Sequence, residues 1–150
     1  MRISIASDHA GFEQKTALVD YLAGKGLEVS DRGPETDDRV DYPDFAVLVA
    51  DDVAQGRAER GILVCGTGIG MCISANKVDG IRAADCTTPQ FAALAREHND
   101  ANVLTLSGRF VDLETNEAIV DAFLDGEFGG GRHAGRVAKI MAIEQRGTAD

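Results

Sequence analysis

Short apolar runs and stretches of helical spacing alternate along this chain of 150 residues, and that alternation limits the folds open to it. Arg2–Ser7 reads as a strand, and Phe12 to about Lys25 as a helix with Phe12, Lys15/Thr16, Val19 and Leu22 in register. Gly26 stands where a helix stop belongs, and Leu27–Asp31 reads as a second strand. The polar Arg32–Asp41 is a loop, and Pro43 opens a helix through Phe45, Val49 and Val53. The pattern continues with strands at Gly61–Cys65, Ile81–Asp85 and Asn102–Leu106. Helices are expected at Ile69–Asn76, Pro89–His98, Leu113–Leu124 and, after a flexible Gly129-Gly130-Gly131 hinge, His133–Gln145. Strands that are apolar throughout are buried on both faces, as in a parallel sheet covered by helices. The expected fold is α/β: a doubly wound, Rossmann-like, five-stranded parallel sheet in a three-layer α/β/α sandwich, with residues 1–150 as one domain.

Composition narrows the function classes. Hydrophobic residues make up 44% of the chain, enough for a core, yet no apolar run reaches the ~18–20 residues of a membrane span. Residues 1–30 lack the pattern of a signal peptide, so a soluble, cytoplasmic protein with no membrane partner is expected. The formal net charge of −10 argues against a nucleic-acid partner. Three cysteines, Cys65, Cys72 and Cys86, match neither a zinc spacing nor a disulfide framework. At least one thiol is therefore free, which suits a reducing compartment.

In a doubly wound sheet, ligands bind beyond the carboxyl ends of the strands. The positions there are Asp8-His9, Cys65–Gly70, Asp85-Cys86 and Ser107–Arg109. Cys65-Gly66-Thr67-Gly68-Ile69-Gly70 is the most informative of these. Alternate glycines between a buried strand and a helix start let backbone amides converge on an anion, although the same turn also suits plain strand–helix packing. A dinucleotide fingerprint needs glycine where Met71 stands, and no Gly-Lys-Ser/Thr tripeptide is present. Cys65 reads either as a nucleophile or base at a helix N-terminus or as a small buried hydrophobe, and Cys72 and Cys86 read as packing residues. Asp85 lies too close to the glycines to be the ribose-binding acid of an NAD enzyme. Arg132 and Arg136 share a helical face that is either solvated or phosphate-binding. His9, His98 and His133 all stand at plausible ligand edges.

Several motifs occur in order: Asp8-His9-Ala10-Gly11, Asp41-Tyr42-Pro43, Cys65 through Gly70, Ser74-Ala75-Asn76-Lys77, Gly80-Ile81-Arg82-Ala83 and His98-Asn99-Asp100-Ala101-Asn102-Val103. Gly131-Arg132-His133 and then Arg136 complete the series. Over nearly its whole length the chain resembles the sugar-phosphate isomerase family of ribose-5-phosphate isomerase B, which also holds galactose-6-phosphate and allose-6-phosphate isomerases.

The resemblance implies interconversion of ribose 5-phosphate and ribulose 5-phosphate with no metal and no cofactor. It makes Cys65 the base and His98 the ring opener and proton donor; for an enediolate, the Gly66–Gly70 amides, Ile69 included, can be the oxyanion donors. Some relatives use a glutamate after the glycine turn instead, but Met71-Cys72-Ile73 holds no acid. Thr67 would pass a proton between O1 and O2. Asp8, Tyr42 and Asn99 fall in the sugar pocket, and His9, Arg109, Arg132 and Arg136 in the phosphate set. The family is dimeric or tetrameric with sites shared between subunits, and the last helix, about 133–145, is expected at the interface. A six-carbon sugar phosphate, allose or galactose 6-phosphate, is the alternative substrate. A non-catalytic sugar-phosphate-binding module is the alternative class.

Overall fold

The structure, a computed structural model, describes residues 1–147. In chain order the elements are β1 (Arg2–Ser7), α1 (Phe12–Gly24), β2 (Glu28–Asp31), α2 (Tyr42–Ala54), β3 (Arg60–Cys65), α3 (Ile69–Ala75), β4 (Ala83–Asp85), α4 (Pro89–Asn99), β5 (Val103–Ser107), α5 (Leu113–Asp125) and α6 (Arg132–Ala142). A 3-10 turn, Ile143–Gln145, follows α6, so the last helix is shorter than its spacing suggests. The sheet has five strands in the order β2-β1-β3-β5-β4, and every pairing is parallel. The chain leaves β1 toward β2 but leaves β3 toward β4, so the winding reverses between β1 and β3. That switch opens a crevice beyond their carboxyl ends.

Alternation along each strand divides the core into two layers. Ile3, Ile5, Ile62, Val64, Leu104 and Leu106 face α1, α4 and α5, where Leu18, Leu22, Ala92, Ile119 and Phe123 cover them. Ala6, Leu63, Cys65 and Val103 face α2 and α3, where Ala46, Val49, Met71 and Ala75 cover them. Among the described residues no helix is long and apolar enough to cross a membrane.

Local chemistry sets the element ends. Gly26, at φ +80°, donates to the Ala23 carbonyl while the Leu27 amide donates to Leu22. Leu27 is thereby spent on stopping the helix, and β2 begins one residue later than its apolar pattern suggests. β4 likewise begins at Ala83 rather than Ile81, because the Arg82 amide bonds the Asn102 side chain at 2.8 Å. Asn76 pairs with both the N–H and the carbonyl of Ala83, at 2.8 and 3.0 Å, and closes part of that sheet edge.

Two buried charges tie the layers together. Lys15, only 2% exposed, donates to both oxygens of Asp31 and to the Pro34 carbonyl, at 2.9–3.0 Å. It therefore anchors the start of the loop that leads to Tyr42. Asp52 on α2 accepts from Ser4 at 2.7 Å, Arg32 at 2.7 Å and Arg57 at 2.9 Å. Burial opposes its charge, but these three donors together hold its carboxyl below the ordinary value of 3.8. A carboxyl whose folded value is depressed stabilises the fold above its unfolded value, and that contribution is lost as pH falls through the folded value. Asp52→Asn should therefore cost about 1–3 kcal/mol at pH 7. In urea titrations the gap to wild type should narrow below about pH 3.8, the ordinary value. An equal gap at pH 7 and in acid would show that the charge is not the source.

Candidate active site

Cys65 ends β3 in the switch crevice, 4% exposed. Its sulfur is not left to apolar contact alone: the Gly68 N–H donates to Sγ at 3.1 Å. That bond requires Gly68 at φ +82°, where a Cβ would lie 2.1 Å from Asp85 Oδ1. The Ile69 amide donates to Thr67 Oγ1 at 3.2 Å. Two of the five amides expected to cradle an anion, those of Gly68 and Ile69, are thus already engaged within the turn.

Neighbouring elements close around the turn. A Cβ at Gly70 would sit 2.7 Å from the Tyr42 ring, so glycine there lets the ring lie against the backbone. The Gly66 carbonyl accepts from Ser107 Oγ at 2.7 Å and from the Arg109 amide at 3.1 Å. The Arg109 side chain passes over Gly66. On the β1 side, Asp8 is 6% exposed and its Oδ1 accepts the Gly11 amide at 3.0 Å. The Val40 amide donates to His9 Nδ1 at 3.2 Å, which leaves the ring proton on Nε2 for a ligand. Asp8, His9, Tyr42, Cys65, Thr67, the glycines and Arg109 therefore gather at one end of the sheet.

Burial pushes the Cys86 thiol up to about 12, with the Asp85 carboxylate adding to the shift. Burial also raises Cys72, again with Asp85 contributing. Both fit the packing role expected of them. Asp85 has a structural part that sequence reasoning missed: its carboxylate fills the space behind Gly68 and accepts Thr105 Oγ1 at 2.9 Å. Burial holds that carboxyl above its ordinary range, with the Thr105 bond opposing.

His98, Asn99, Arg132 and Arg136 are elsewhere. In a parallel sheet each connecting helix runs back against the strands, so α4 ends where β5 begins. His98 and Asn99 lie at that amino edge, and Cys65 pairs with Ser107 at the carboxyl edge. The first and last residues of β5 stand about 13 Å apart. The Gly129 amide bonds the Glu97 carbonyl at 2.9 Å and pins the start of α6 to the same edge. The glycine run read as a hinge is here a defined turn, with Gly130 and Gly131 at φ +60° and +54°. Arg132 and Arg136 are exposed, and their charges act on His133, whose ring stacks on that of His98. The phosphate set is therefore split, with His9 and Arg109 at one end and Arg132 and Arg136 at the other.

The Ribose/Galactose Isomerase family profile matches residues 3–140. Ribose-5-phosphate isomerase B of Escherichia coli is 49% identical over 145 residues, covering 97% of each chain. D-erythrulose-4-phosphate isomerase of Pectobacterium atrosepticum is 45% identical, again over 97% of each chain. The Clostridium thermocellum ribose-5-phosphate isomerase B structure superposes with a TM-score of 0.96 at 51% identity, covering 97% of this chain and 99% of that one. The Mycoplasma genitalium enzyme, solved with bound ribulose 5-phosphate, gives 0.93 at 49% identity and 97% of each chain. A match across nearly the full length in both sequence and fold places this chain in the ribose/galactose isomerase family.

Proposed function

We propose that this chain is an aldose–ketose isomerase that interconverts D-ribose 5-phosphate and D-ribulose 5-phosphate through an enediolate, with no metal. The observation that carries the reading is the Cys65 sulfur, held at 3.1 Å from the Gly68 amide in the switch crevice. An amide aimed at sulfur steadies negative charge there, as a base requires. The relative solved with bound ribulose 5-phosphate supports the substrate.

The steps follow from the residues. His98 donates a proton to the ring oxygen as its bond to C1 breaks, and the O1 hydroxyl proton passes to solvent water, which reprotonates the imidazole. Cys65 thiolate then removes the C2 proton, the electron pair forms the C1–C2 double bond, and O1 becomes an oxyanion facing the turn amides. Thr67 passes the O2 proton to O1, the C2 carbonyl forms, and the Cys65 thiol returns its proton to C1. Asp8, Tyr42 and Asn99 contact the sugar. His9, Arg109, Arg132 and Arg136 hold the phosphate, for which guanidinium forks are well shaped.

The two ends of one chain do not meet, so each site takes Cys65 from one copy and His98, Asn99, Arg132 and Arg136 from another. Exposed Ile69, Ile73 and Phe91 near the turn and Ile140 and Ile143 at the end of α6 suit such an interface. The homodimer or homotetramer is thus part of the site, with the last helix in the contact. Three free thiols fit a cytoplasmic setting.

Ribose 5-phosphate, allose 6-phosphate, galactose 6-phosphate and erythrulose 4-phosphate assayed side by side in EDTA test the reading. Ribose 5-phosphate should lead in kcat/KM by roughly tenfold or more, the scale on which pockets discriminate chain length. A six-carbon leader would change the substrate, and binding with no product from any of them would leave only a sugar-phosphate-binding module. Activity lost to EDTA and restored by metal would overturn the metal-free chemistry.

A further inference from the structure

A histidine that moves protons is usually oriented by a hydrogen bond to its second ring nitrogen. His98 has no such orienter: among the described residues no group hydrogen-bonds either of its nitrogens. Its ring instead lies on that of His133, with centroids 4.4 Å apart and planes 16° from parallel. The backbone is built to make that stack. The Gly129 amide is fixed to the Glu97 carbonyl, and the two left-handed glycines turn the chain back. The His133 amide then bonds the Gly130 carbonyl at 2.9 Å and seats the ring, 8% exposed, against His98.

We infer that His133 is a positioning residue for ring opening: its flat face fixes the plane in which His98 meets the sugar. The inference rests on the role proposed above for His98. The charge around the pair agrees with it. Burial holds His133 below its ordinary value, and His98 on α4 and Arg132 and Arg136 on α6 act in the same direction. Only Glu97 on α4 opposes. A neutral ring under His98 accommodates an imidazolium there by cation–π attraction, whereas two charged rings would repel.

The test separates ring opening from the enediolate step. Ribulose 5-phosphate has its C5 oxygen phosphorylated and cannot close a furanose, so exchange of its C1 hydrogen with solvent reports only the Cys65 step. His133→Leu fills the volume without a plane, and His133→Phe keeps the plane without nitrogens. In His133→Leu, kcat from ribose 5-phosphate should fall about 10- to 100-fold, the scale of a misplaced catalytic group. KM should stay within about threefold and C1 exchange within about twofold, since neither phosphate nor thiol is touched. His133→Phe should restore kcat to within about threefold of wild type. Unchanged kcat in His133→Leu would overturn the inference, as would exchange falling in step with isomerisation. A KM raised alike in both variants would overturn it too, by making His133 a phosphate ligand. A wild-type protein that isomerises no ribose 5-phosphate would instead refute the proposed function, so the two failures are distinguishable.

Discussion

Cys65→Ala is expected to slow isomerisation about 10²–10⁴-fold, the usual contribution of a positioned general base. Affinity for ribose 5-phosphate should stay within a few-fold, because the groups proposed to hold the phosphate are not on the substituted side chain. Cys65→Ser is the sharper variant. A hydroxyl can still accept the Gly68 amide now 3.1 Å from sulfur, so the turn is preserved. It is a far weaker base at neutral pH and should be nearly as inactive. No other thiol can substitute, since burial raises both Cys72 and Cys86, the latter to about 12. Paired measurements of kcat/KM and of ligand affinity by calorimetry check this. Turnover near the wild-type rate in either variant would remove Cys65 from the chemistry.

Much of this arrangement is legible in the residues. The strand order is not written in the chain, but alternation and uninterrupted apolar strands dictate a doubly wound sheet. Such a sheet puts Asp8, Cys65 and Arg109 on one edge. Element ends were harder, because side chains far along the sequence set them. Asn102 takes the Arg82 amide and shortens β4, a contact that local spacing does not reveal. The bonds inside the cradle are hidden for a similar reason: spacing does not show that the Thr67 hydroxyl accepts the Ile69 amide. Asp85 behind Gly68 and His133 on His98 went unseen as neighbours. Contacts between side chains on separate elements have no periodicity to betray them. The clearest signal available was Gly130-Gly131, since paired glycines ahead of a helix often mark a forced reversal of the chain.

His98 presents the hardest demand on the account. It stands at the amino edge of the sheet, about 13 Å along β5 from the edge that holds Cys65. His98→Asn should lower turnover of cyclic ribose 5-phosphate about 10²-fold or more, as loss of a general acid does. C1 exchange of ribulose 5-phosphate should persist. A side chain at that distance cannot reach a sugar held over its own Cys65, so each inactive variant carries an intact copy of what the other lacks.

Refolding Cys65→Ala and His98→Asn chains together in equal amounts puts this directly to the test. If every site draws its thiol from one chain and its imidazole from another, random pairing gives about a quarter of the sites both intact residues. Activity on ribose 5-phosphate should therefore return from near zero to about a quarter of the wild-type level. If both residues served the same site from one chain, every site in the mixture would lack one of them. Activity no higher than that of the better parent would then contradict the two-chain site.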